Sequence, residues 1–136
     1  MSRRLRIIVL AVLTAMLVNQ VIYTIGRAVG GTFEFTAAGR PAEVFAITVA
    51  GFSAVPMLLG LLAVALLAPR FGWVTWAALI VGPVLAIATI FVMTLPADFD
   101  TASKVALSLC HLTLAPIIIV AVRALDRGTT LAPAPA

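Results

Sequence analysis

The sequence predicts an all-α membrane protein, an antiparallel bundle of four transmembrane helices with a short, β-like outer loop. Two observations carry this reading. Of the 136 residues, 63% are hydrophobic and only 10% charged, whereas a soluble domain carries roughly a quarter charged residues. The apolar residues gather into four long runs instead of amphipathic stripes, as they do in chains that cross lipid. Too few polar residues remain for a second domain, so residues 1–136 read as one membrane domain.

Met1 to Arg6, MSRRLR, is a basic start, and Ile7 to Gly26 is the first apolar run. At 1.5 Å per residue its length matches the ~30 Å hydrocarbon core. A secretory signal peptide competes, since Ala28-Val29-Gly30 offers small residues to a peptidase. The length of the run and the poor cleavage region from Asn19 to Arg27 favour an uncleaved helix.

Residues 27–43 form the longest polar connection. Gly30-Gly31 breaks the helix, Thr32 to Thr36 alternates with period two, and Ala38-Gly39-Arg40-Pro41 reads as a turn. A short strand or small hairpin on the membrane surface is expected. The second span runs over 44–68. Pro69-Arg70-Phe71-Gly72 is so tight a link that the second and third helices should be antiparallel neighbours. The third span, 73–95, opens with Trp73 and Trp76 at the interface. After the loop Pro96 to Thr101, Asp100 or Thr101 should cap the fourth span, 104–125, with negative charge at its positive end. Residues 126–136 read as a disordered, Pro/Ala-rich tail.

Basic residues set the orientation. With the amino terminus cytoplasmic, Arg3, Arg4, Arg6, Arg70, Arg123 and Arg127 lie inside, against Arg27, Arg40 and Lys104 outside. Both termini are therefore expected in the cytoplasm, in a multi-pass protein of the cell membrane. The net charge of +4 does not argue for nucleic acid, because the basic residues are scattered over helix ends with no basic face. The expected partners are the bilayer and a homo-oligomer or larger membrane complex.

That topology gives the polar side chains a depth. Asn19, Gln20 and Tyr23 of the first helix fall in its outer half, as do Ser108, Cys110 and His111 of the fourth. Thr48, Ser53 and Thr89 add to the same level. Lys104, Ser108, His111 and Ala115 share one narrow face at 100° per residue, and Asn19 and Tyr23 share theirs with Ala15 and Gly26. Polar groups at membrane depth need partners, so Asn19, Gln20, Tyr23, Ser108 and His111 are the candidate buried cluster. Such a cluster serves either as helix glue, at ~0.6 kcal/mol per bond, or as an outward-opening pocket built on the one histidine, a group that titrates near neutrality. Neighbouring Cys110 and His111 point 100° apart, so neither a metal site nor a haem site is expected. A single cysteine cannot form an internal disulfide. Ala78, Gly82 and Ala86, four apart, allow close helix approach, and Pro56, Pro83 and Pro116 fall near mid-membrane, where each frees a carbonyl and permits a kink.

Pro83, Asp98, Asp100, Thr101, Ala102, Ala106, Leu107 and His111, together with the ending DFDTASKVALSLCHLTLAPIIIVAVRAL, carry a resemblance over about residues 5–127. The chain resembles the actinobacterial four-helix integral membrane proteins grouped as domain of unknown function family 6069. The resemblance implies the topology and points to His111; it implies no activity. With no paired carboxylates and no nucleophile with its base at membrane depth, no catalytic residue and no cofactor is expected. The expected role is that of a non-enzymatic structural or accessory subunit. The alternative is a small transporter, or a ligand- or proton-responsive protein, using His111. The first helix lacks the embedded glutamate that four-span multidrug exporters share, which argues against their mechanism.

Overall fold

A computed structural model describes residues 1–127. Helix α1 spans Arg3–Ala28, α2 Ala46–Leu67, α3 Trp73–Thr89 and α4 Thr101–Asp126. Between α1 and α2, strands β1 (Glu34–Ala37) and β2 (Arg40–Glu43) pair as an antiparallel hairpin. Helix α3 runs on into a π-helical turn, Ile90–Thr94, where the Leu95 amide reaches back five residues to the Ile90 carbonyl at 2.8 Å.

All four helical spans are long and apolar enough to cross a membrane. Each leaves a broad aliphatic face bare: Leu10, Leu13 and Leu17 on α1, Leu59 and Leu66 on α2. Lipid, not water, suits surfaces of that extent. Helices α1 and α4 begin before their apolar runs because side-chain caps start them there, whereas α2 and α3 have no side-chain cap. The Ser2 hydroxyl accepts from the Leu5 amide and starts α1 within the basic segment. Asp100 caps α4, so it begins at Thr101, three residues before its apolar run. At its other end α4 takes in Asp126, the first residue of the expected tail. Residues 128–136 of that tail lie outside the described part of the chain.

Across the bundle the order is α2, α1, α4, α3. Helix α1 turns one stripe inward, Ile8, Ala11, Ala15, Asn19, Tyr23 and Gly26, and α4 answers with Ser103, Ala106, Cys110, Ala121, Val122 and Leu125. Small residues bring these two helices together. A Cβ at Gly26 would stand 2.7 Å from that of Ala106, closer than two carbons can pack. Gly82 does the same for α3 on α4, where a Cβ would lie 2.8 Å from Ile118.

The link at Pro69–Gly72 does leave α2 and α3 antiparallel, yet they are not close neighbours over their length. They meet near the link, where Val64 and Val74 share an aliphatic cluster with Ile8, Leu61 and Val122. Farther along, α2 leans on α1 and α3 on α4. The Asn19–Ser53 bond and the Gly82–Ile118 contact each attach one of the pair to a different partner. A short link fixes direction and nearness at one end only.

The start of α1 and the end of α4 lie with that link at one end of the bundle, here the terminal end. Arg4 donates to the Ala65 carbonyl at 3.0 Å, placing a cation at the negative end of α2. The Thr75 hydroxyl donates to Asp126 at 3.1 Å, near the positive end of α3. The opposite, hairpin end carries a smaller core of Tyr23, Phe33, Val49, Ala106 and Cys110.

Ala38 and Gly39, both at positive φ, form the two-residue loop of the hairpin, the conformation that follows the twist of paired strands. Arg40 and Pro41, expected in the turn, belong to β2. Pro41 faces Thr36, whose amide donates to Asp98 outside the ladder. The missing proline N–H therefore costs no strand pairing.

Candidate functional site

Asn19 is 1% exposed and joins three helices. Its Nδ2 donates to Ser53 Oγ of α2 at 2.7 Å, and its Oδ1 accepts from Thr113 Oγ1 of α4 at 2.9 Å. The Ser53 hydroxyl in turn donates to the Val49 carbonyl at 2.7 Å, and Cys110 Sγ lies 3.7 Å from the Asn19 carbonyl. The other expected members of the cluster lie elsewhere. Gln20 donates to the Ala46 carbonyl and Tyr23 to the Val44 carbonyl, holding down the start of α2. Ser108 borders a shallow depression with Leu95 and Lys104, away from Asn19. His111 lies one residue round from the Cys110 face and shares a cleft with Asn19. What turns α4 is the small face of Ala106 and Cys110, which seats more closely on α1 than the Ser108–His111 stripe would.

The divergence of α2 and α3 leaves that cleft, about 860 Å³ in volume. Its size suits one drug-sized molecule. Toward the terminal end its walls are aliphatic or small, with Gly60, Leu61, Ala78 and Ile118 among them. Toward the hairpin end they include Thr48, Thr94 and His111, and the mouth carries Glu43 beside Phe35 and Phe99. Those two rings pack against each other at a tilt of 41°, with 4.9 Å between centroids. Glu43 is paired with Arg27 at 3.1 Å. His111 has no hydrogen-bond partner among the described residues, so it is not the satisfied histidine that helix glue would require.

The hairpin is fastened over this end by two matching clasps. Asp100 accepts both the amide and the hydroxyl of Thr32, at 2.9 and 3.0 Å. Asp98 accepts both from Thr36, at 2.8 and 2.7 Å. Asp100 also caps α4 through the Ser103 amide and hydroxyl, while Ser103 Oγ accepts from the Phe33 amide at 2.8 Å. Phe33 is fully buried against Tyr23, at an unusual φ of 58° for a bulky residue; its two backbone bonds, to Ser103 and Val44, hold it there. Bonds to the Ser103 hydroxyl hold the Asp100 carboxyl far below the usual carboxylate range, and bonds to the Thr36 hydroxyl lower that of Asp98. Both stay ionised at neutral pH.

Sequence reasoning passed over Thr94, Thr113 and the clasps. Thr32 and Thr36, four apart in the outer connection, and Asp98 and Asp100, spaced by two in the third loop, were a readable signal. Thr94 gave none, because its setting depends on the π-helical turn. Among the described residues, no three His, Cys, Asp or Glu side chains converge as a metal-holding group.

No curated protein and no solved structure matches the chain. One family model does, over residues 1–127, nearly the whole length, and the four membrane-spanning helices accord with what the ending of the sequence implied. The chain belongs to the family of unknown function DUF6069.

Proposed function

We propose that this is a non-enzymatic membrane protein that takes an apolar, lipid-borne molecule into the cleft between α2 and α3. It sits in the cell membrane with both chain ends in the cytoplasm, an orientation supported by six basic side chains on the terminal side against three on the other. The cleft carries the reading. It is a gap of ligand size within the part of the chain that lies at membrane depth, opening between two spans toward the lipid. Toward the terminal end, the cleft-wall residues Leu61, Val64, Val74 and Val122 belong to an aliphatic cluster, which favours holding a molecule over conducting one.

Gly60→Phe tests this. A Cβ at Gly60 meets nothing within 4 Å, so the added ring occupies the cleft without displacing backbone. Wild-type protein drawn from membranes in mild detergent should carry an apolar molecule, visible by native mass spectrometry, and the variant should lack it. Equal and empty spectra would refute the reading.

The small residues on both walls, Gly60, Ala63 and Ala78, support a second reading: an accessory subunit whose gap receives the helix of a second copy or a larger complex. A polypeptide retained by wild type and lost from Gly60→Phe, with no small molecule in either, would favour it.

A further inference from the structure

We infer that the occupant of the cleft is a single-chain amphiphile with an uncharged, oxygen-bearing head, an alcohol or a carbonyl. The head lies toward the hairpin and the chain runs between α2 and α3 toward the terminal end. The inference rests on the reading above and adds the chemistry and direction of the ligand.

The threonines provide the first argument. A threonine inside a membrane helix ordinarily returns its hydroxyl to the carbonyl four residues back, as Thr24 does to Gln20 and Thr89 to Leu85. Thr14, Thr48 and Thr94 make no such bond among the described residues; Thr14 lies on the exposed face of α1, whereas Thr48 and Thr94 line the cleft. Thr94 is only 3% exposed, yet it lines the cleft. No buried polar side-chain atom among the described residues lacks a partner, so the unbonded Thr94 hydroxyl borders open space in the cleft wall, where a ligand oxygen could bond it. The π-helical turn that ends at Thr94 is the kind of helix irregularity often found at functional sites. With His111, which offers one donor and one acceptor when neutral, three unpartnered polar groups from α2, α4 and the π-turn border the same half of the cleft.

Charge provides the second. Glu43 is the single charged side chain on the cleft wall among the described residues, and it is already held by Arg27. A charged head would enter with no counter-ion, which apolar surroundings penalise heavily. Size is the third: about 860 Å³, with aliphatic walls at one end, has room for an alkyl chain.

Hexadecanol, palmitic acid and hexadecane, each bearing a mid-chain diazirine, can be photolysed with the full-length protein in liposomes. Hexadecanol should label cleft-wall residues at least several-fold more than the acid or the hydrocarbon. Thr94→Val and His111→Phe should each reduce hexadecanol labelling about three- to tenfold, the effect of one lost hydrogen bond. Hexadecane labelling should not change, and Thr94→Ser, which keeps the hydroxyl, should behave as wild type. If hexadecanol and hexadecane label equally and neither Thr94→Val nor His111→Phe discriminates between them, the inference falls; the cleft reading survives provided Gly60→Phe abolishes both labels. If Gly60→Phe leaves every label intact, both fall.

Discussion

The seam between α1 and α4 and the gap between α2 and α3 are built from similar residues to opposite effect. Along the seam, Gly26 lies against Ala106, and Asn19 finds Ser53 and Thr113. Along the gap, Gly60 meets open space, and Thr48, Thr94 and His111 find no partner. Glycine and polar side chains thus have no fixed meaning in a membrane helix. Where they are filled and bonded they hold the fold together. Where they are left open, they line the space that the proposed ligand would take.

Overfilling the seam should have the largest effect. Gly26→Leu drives a side chain into Ala106 and Phe33 and should cost ~3 kcal/mol, the upper part of the usual range for overpacking, read as unfolding in a detergent titration. Asn19→Leu removes two interhelical bonds and should cost ~1–2 kcal/mol; its coupling to Thr113→Val in a double-mutant cycle tests whether the bond is the cause. Asp100→Ala removes the α4 cap and one clasp, and the cap alone should cost ~1 kcal/mol. Gly60→Phe, the counterpart of Gly26→Leu in the open gap, should change stability by less than ~0.5 kcal/mol. A large loss there would mean that the gap closes in the bilayer.

The clasps respond to acid in a set direction. The carboxyls of Asp98 and Asp100 are held below their usual range, so their stabilising effect is complete above the unfolded-state value of ~3.9. It fades as the pH falls from there through the folded-state values. The amide resonances of Thr32 and Thr36 should hold steady across the neutral range and shift only below about pH 4. Movement near neutrality would contradict the assignment.

Spans, helix directions and the capping by Asp100 were legible in the sequence, because hydropathy and helix-end chemistry are local. The buried stripe of α1 was legible too, from the spacing of Ala15, Asn19, Tyr23 and Gly26. The face that α4 turns to it was not. Polarity favoured the Ser108–His111 stripe, and steric closeness selected Ala106 and Cys110. The gap was illegible for a related reason: a four-residue link speaks for one end of two helices, while Asn19 and Gly82 decide where their other ends go. Thr94 belongs to an apolar run, and only a helix irregularity makes it distinctive.

The central claim is that the gap between α2 and α3 admits hydrocarbon chains. With Trp73 and Trp76 replaced by Phe, a single Gly60→Trp reporter can be reconstituted in bilayers of brominated-chain phospholipid. The account predicts quenching close to that of a tryptophan at Leu59, a position 62% exposed on the bare face of α2. Strong shielding at position 60 beside full quenching at 59 would contradict it.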